Sequence, residues 1–298
     1  MSLQGFRSPE LRKNVLVSYQ RNLARWTVEY QERKVHTHYG DTHCIEAGTQ
    51  SKPPLLILHS GYANSSALGE SIAELAGDFH LFAIDIPGEM GKSRDRQFDF
   101  FSEDYSSWLQ QVIHGLSFNK VNLLGIGLGA ALAARFSIKK PSVVDQLLLV
   151  TPPLELPSRP GVLFTLLLSA MFPTRFMIKR MCKRMRSKQA APVDDWLLED
   201  IHLRLNSTMH NANELPALSD TELEALPEAS VIVFGEDDPR IDKCRLKDKI
   251  SGSANSLSLH WVANAGHTPM MEQAALSGRL IADVIHRREA NKSLKTGT

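Results

Sequence analysis

One stretch constrains the fold more than any other: Val121-Asn-Leu-Leu-Gly125-Ile-Gly127-Leu-Gly129-Ala-Ala-Leu-Ala-Ala-Arg135-Phe. It reads as a buried strand, a turn crowded with glycine, and an alanine-rich helix. An apolar strand running straight into a helix is half of a βαβ unit, and such units build parallel sheets covered on both faces.

The rest of the chain repeats that grammar. Residues 55–58, 80–85, 121–125, 146–150, 230–234 and 256–262 are short apolar strands, with helices expected over 67–76, 102–118, 128–139, 243–250 and 270–288. Residues 9–30 form an amphipathic leading helix in this reading. Residues 31–48 form a hairpin around a Tyr39-Gly40-Asp41 turn, and the polar tail from residue 290 frays. Between residues 154 and 227 the alternation stops, and the pattern is helices and proline turns with no clear strand. The expected organisation is one α/β core, residues 1–153 and 228–298, with a helical cap, 154–227, inserted after the sixth strand over the strand ends.

Bulk properties exclude several classes. There are 34 basic and 33 acidic residues, a net charge of +1, so no global field favours nucleic acid. Three separated cysteines, Cys44, Cys182 and Cys244, carry no C-x-x-C pairing and suit a reducing compartment. No apolar h-region opens the chain, and no window approaches 18 apolar residues. A cytoplasmic protein is the expectation, without metal or organic cofactor, and with its oligomeric state open.

Gly125-Ile-Gly127-Leu-Gly129-Ala130 fits the dinucleotide fingerprint G-x-G-x-x-G/A. Against that oxidoreductase reading, the strand at 146–150 ends in Thr-Pro-Pro without an acid for a ribose. The fingerprint also normally follows the first strand of a sheet, and here two strands and a hairpin come earlier.

Two downstream turns point elsewhere. Phe234-Gly-Glu-Asp237-Asp238-Pro239 directly follows an apolar strand, and Asn264-Ala-Gly-His267-Thr-Pro269 follows the next one. A loop Asp85-Ile-Pro87-Gly88-Glu-Met-Gly91-Lys-Ser93 lies between the second strand and the glycine-crowded turn. In these motifs and their order the chain resembles the α/β-hydrolase family, and within it the capped bacterial carboxylesterases, over roughly residues 40–288. The elbow 125–129 matches G-x-S-x-G, the strained turn that lifts a serine above the sheet, with Gly127 at the serine position. The resemblance implies Asp238 as the acid that orients the histidine, with Asp237 the neighbouring choice. It implies His267 as the proton shuttle, and the amides of Leu128 and Gly61 as oxyanion donors. His59-Ser60 stands where the family has His-Gly; His59 reads as a structural hydrogen-bonder. Ser60, Tyr62, Met177 and Met181 are expected along the substrate pocket. The other histidines His36, His38, His43, His80 and His114 lack ligand spacing.

A triad without a nucleophile loses nearly all that the triad supplies. Three readings follow: a carboxylesterase with serine changed to glycine at an intact site, a pseudo-hydrolase keeping the pocket for an ester or acyl-type ligand or for regulation, or a reaction using His267 and Asp238 alone as a base. Residues 161–188 add an apolar run, then Arg175, Lys179, Arg180, Lys183, Arg184, Arg186 and Lys188. These cations read first as a solvated cap face; contact with an anionic membrane surface is the second reading.

Overall fold

In the computed structural model, which describes residues 5–155, 160–209, 217–251 and 257–296, each apolar run becomes a strand. Helix α1 (Pro9–Leu23) precedes the hairpin β1 (Tyr30–Thr37) and β2 (Gly40–Gly48). Then β3 (Pro54–Leu58), α2 (Gly69–Leu75), β4 (His80–Ile84), α3 (Asp104–Gly115), β5 (Val121–Ile126), α4 (Leu128–Lys139) and β6 (Val144–Val150) alternate. Helices α5 (Pro160–Met171), α6 (Arg175–Met185), α7 (Asp195–Ser207) and α8 (Asp220–Glu224) follow, with no strand among the described residues between β6 and β7. The chain closes with β7 (Val231–Gly235), α9 (Lys243–Ser251), β8 (Ser258–Val262), α10 (Pro269–Glu272) and α11 (Ala274–Thr296).

The eight strands form one sheet in the order β1-β2-β4-β3-β5-β6-β7-β8. Only β2 runs antiparallel to its neighbours, pairing Cys44 with Ile84 on one side and Arg33 on the other. From β4 to β8 the pairing is parallel throughout. Strands β4 and β7 are buried along their whole length, as a sheet covered on both faces demands. One face packs Trp108, Leu109, Phe136, Leu246 and their neighbours from α3, α4 and α9. The other packs Tyr19, Leu23, Ile72, Leu75, Ile281 and Ile285 from α1, α2 and α11. Trp108 is almost fully buried, and its indole N–H donates to Thr42 Oγ1 at 2.7 Å. Truncating it to alanine is worth about 3–5 kcal/mol of stability, since a cavity and an orphaned hydroxyl result together.

Two expected boundaries move. The leading helix stops at Leu23, short of residue 30, because Trp26 leaves it: the indole donates to Ser66 O at 2.9 Å and the ring meets Tyr30 edge-on. The C-terminal tail is helical to Thr296, tied back to the sheet where Lys292 meets the Asp145 carboxylate.

The helices between β6 and β7 are fastened at the loops beyond β7 and β8. Ser187, just past α6, donates from its hydroxyl to Asp237 Oδ2 at 2.6 Å and from its amide to Glu272 Oε2 at 2.8 Å. Met185, at the end of α6, accepts the amide of His267 at 2.8 Å. Gly266 makes that approach possible, because a Cβ there would lie 2.3 Å from the Met185 carbonyl oxygen. On the opposite flank, Arg135 of α4 donates from Nε to Glu222 Oε1 of α8 at 2.6 Å.

Candidate active site

The β5–α4 turn packs backbone against backbone: a Cβ on Gly129 would lie 2.2 Å from the Leu58 carbonyl oxygen. Gly127 holds φ 54° and ψ −113°, outside the left-handed helical well that other residues tolerate, so a side chain here carries strain. Its amide continues the β5–β6 ladder by donating to Val150 O at 3.0 Å, while its carbonyl accepts the amides of Ala130 and Ala131. The amide of Gly129 is spent on His59 O at 3.2 Å. The glycine-rich turn is therefore packed against β3, and this part of it has no amides left to cradle a phosphate. Leu128 opens α4, and its amide is the first-turn donor that the helix itself leaves free.

His267 and Asp238 are brought together by the turns after β8 and β7. Asp238 is buried, and its Oδ2 accepts from His267 Nδ1 at 2.8 Å. Its Oδ1 accepts the Arg240 amide at 2.9 Å, which fixes the carboxylate plane. Asp237 turns away to Ser187, so of the two adjacent carboxylates only Asp238 holds the histidine. Arg240 was not singled out in the sequence. Its Nη1 lies 3.3 Å from His267 Nε2. A guanidinium can only donate, so Nε2 is the acceptor and the proton sits on Nδ1, facing Asp238.

The loop after β3 lies over the elbow. A Cβ built on Gly127 would sit 3.2 Å from Ser60 Cβ and 3.7 Å from Ser60 Cα. Gly61 and Tyr62 follow, Tyr62 in a positive-φ conformation of 56°. The Tyr62 amide donates to Glu89 Oε2 at 2.8 Å and its carbonyl accepts Arg204 Nη1 at 2.6 Å. Arg204 is itself held by a buried pairing with Asp200 at 2.8 Å. Burial pushes the Glu89 carboxyl up to about 7, against the opposing pull of the Tyr62 amide and Arg204. Nothing in the sequence near Glu89 signals this, because the burial that raises it exists only in the folded chain. Met177 and Met181 are half-buried on α6, whose final residue reaches the His267 amide.

Behind the site, His59 is fully buried. It accepts the Ile86 amide at Nε2 (3.1 Å), which leaves Nδ1–H to donate to Ser60 O at 2.8 Å. Burial holds its imidazole below the usual histidine range, which favours this neutral, structural role. Asp85 anchors the 85–93 loop by accepting the amides of Ser65 and Lys92, both at 2.9 Å, and His43 Nδ1 at 3.0 Å. Burial raises its carboxyl, but those hydrogen bonds and the histidines outweigh it and bring it down to about 2. A groove of about 640 Å³ runs along α1, lined by Arg12, Leu16, Val17 and their neighbours, and shares no residue with this site.

The model of the alpha/beta hydrolase family matches residues 55–277, the span from β3 into α11 that holds the elbow, both downstream turns and the helices between them. The chain belongs to the alpha/beta hydrolase family. Among its curated relatives in that family, the carboxylesterase nap of Bacillus subtilis is 29% identical over 155 residues, 51% of this chain and 52% of that protein. Carboxylesterase YbfK of the same organism is 28% identical over 135 residues, 45% of this chain and 46% of the other. The chain thus spans about half the length of the curated relatives it matches. The crystal structure of naproxen esterase from Bacillus subtilis superposes with a TM-score of 0.82 over 94% of this chain and 99% of that one. At 20% identity, that likeness is one of fold. This member of the alpha/beta hydrolase family resembles carboxylesterases.

Proposed function

We propose that the chain carries a carboxylesterase-type acyl site in which Gly127 occupies the nucleophile position, Asp238 orients His267, and the amides of Leu128 and Gly61 face the oxygen of a bound ester or acyl group. Ser60, Tyr62, Met177 and Met181 line the ligand's side of the site, and residues 154–227 form a cap on the core. One observation carries this reading: the strained backbone at Gly127 stands in the same molecule as a His267–Asp238 pair with its tautomer already set.

Acyl transfer through such a site needs an oxygen or sulfur on the elbow. Gly127 supplies neither, so no covalent acyl-enzyme forms there. What remains is binding, plus a preorganised oxyanion site worth on the order of 10³-fold over water. A second reading, a non-catalytic ligand-binding or regulatory protein on the same fold, draws support from Arg240. Its guanidinium fills the Nε2 direction that a serine hydroxyl would otherwise use.

Hydrolysis of p-nitrophenyl acetate tests the proposal. The unaltered protein should turn over slowly, and Gly127→Ser should gain roughly 10³-fold or more, a gain that His267→Ala abolishes. Equal rates for the unaltered protein and Gly127→Ser would overturn the elbow assignment. If Gly127→Ser and Gly127→Ser/Ser60→Gly both stay at background, the acyl-transfer site is wrong and the binding reading takes its place.

A further inference from the structure

Helix α5 is inside out. Its buried stripe is Val162, Thr165 and Ser169. The two hydroxyls on that stripe satisfy themselves along the helix, Thr165 Oγ1 donating to Gly161 O at 2.9 Å and Ser169 Oγ to Thr165 O at 2.8 Å. The outward stripe is Leu163, Phe164, Leu167 and Met171, continued by Phe172 and, at the start of α6, Phe176; these six are 48–72% exposed. Helices on a globular protein ordinarily place such side chains inward. Exposed large apolar residues elsewhere on the described chain are scattered, whereas these fall within 14 consecutive positions. A contiguous apolar patch of this kind marks a binding surface.

What covers it follows from charge. Residues 160–188 contain seven Lys or Arg and no Asp or Glu, in a chain whose net charge is only +1. Arg175 reaches Asp195 at 3.2 Å and Glu199 at 3.5 Å. Lys179, Arg180, Lys183, Arg184 and Lys188 have no carboxylate within 4.0 Å among the described residues, and all five are exposed. Apolar side chains projecting beside uncompensated cations is the composition of an element lying in a membrane interface, with aromatics in the acyl boundary and cations at anionic headgroups. No helix among the described residues is long and apolar enough to cross a membrane, so the contact is with the surface.

We propose that the outward face of α5, together with the cationic face of α6, docks on an anionic lipid bilayer. A protein partner would need a matching acidic and apolar face; a lipid surface supplies both chemistries at once. The docking is independent of the acyl-site reading, since none of the six apolar residues or five cations belongs to that site.

Co-sedimentation with phosphatidylcholine vesicles, with and without about one-third phosphatidylglycerol, tests this. The full chain should partition strongly to the anionic vesicles and weakly to the neutral ones, more weakly at about 150 mM salt than at about 20 mM. Lys179→Gln/Lys183→Gln should lower anionic binding about 25-fold, about fivefold for each cation removed. Phe164→Glu/Leu167→Glu should abolish binding at both salt concentrations. These side chains are exposed, so an unchanged circular dichroism spectrum is the folding control for both variants. Absence of binding to anionic vesicles at low salt would overturn the proposal, as would binding that both double variants retain. Dimerisation in buffer, with no vesicle binding and lost in Phe164→Glu/Leu167→Glu, would assign the face to a second copy instead.

Discussion

Placing a side chain on the elbow should cost stability, and the amount can be worked from two features. Gly127→Ser forces a non-glycine residue into φ 54° and ψ −113°, a backbone strain of about 1–3 kcal/mol. Its Cβ would stand 3.2 Å from Ser60 Cβ, nearer than the 3.5–4.0 Å optimum for carbon pairs, so the Ser60 loop must yield by a few tenths of an ångström. Restricting the unfolded chain returns about 0.5–1 kcal/mol. The net expectation is a loss of about 1–3 kcal/mol. Ser60→Gly should relieve the crowding part, so a double-mutant cycle should show about 0.5–1 kcal/mol of favourable coupling between the two positions. Urea unfolding of the four proteins, extrapolated linearly with a common slope, reads both quantities. If Gly127→Ser is as stable as the parent, the elbow is less strained than its dihedrals state. A coupling of zero would mean that Ser60 does not stand over Gly127. The same cycle should order the esterase gain, with the double variant faster than Gly127→Ser alone.

Two further outcomes concern the carboxyls of Asp85 and Glu89. The folded-state value of Asp85 is brought down to about 2 from an ordinary 3.8, so its contribution is fully present above about pH 4 and is lost as the pH falls through 2. That contribution is about 2 kcal/mol. Asp85→Asn should remove it, flattening the acid limb of a stability–pH curve, and an unchanged limb would refute the role. Glu89 has the opposite sign. With its carboxyl raised from 4.5 to about 7, the native state loses stability as the pH climbs from about 4.5 to 7. Glu89→Gln should therefore gain on the parent across that window by about 1–2 kcal/mol, after allowing for the partial exposure of the side chain. Thermal melts at pH 5 and pH 8 decide it, and parallel shifts of the two proteins would count against the assignment.

The core strands and the turns that follow β5, β7 and β8 were legible because each is local: an apolar run followed by a turn of Gly, Asp or Pro reads the same in any context. The pairing of Asp238 rather than Asp237 with His267 was legible as a preference, and the geometry separates the two through Ser187. Arg240 and Glu89 were not legible, since Arg240 takes its meaning from His267 and Glu89 from its burial, and only tertiary folding supplies either. The orientation of α5 was hidden for a different reason. Its sequence is apolar almost all round, so periodicity could not say which stripe faces out, and Thr165 and Ser169, which look like surface residues, are buried because they bond to their own helix. The end of α1 was missed because Ala24 and Arg25 are good helix formers; the tertiary bond from Trp26 to Ser66 overrides them.

The attachment of Met185 and Ser187 to the loops bearing His267 and Asp237 sets a mechanical condition on the four helices between β6 and β7. Arg204 of α7 is bonded to Tyr62, and Glu222 of α8 to Arg135, so a rigid outward swing of all four helices must break at least one of these fastenings. Helix α5 contributes a side chain to none of them, its two buried hydroxyls being spent along the helix. A surface that engages its outward row of leucine and phenylalanine therefore pulls directly on none of the bonds that hold the loop of His267.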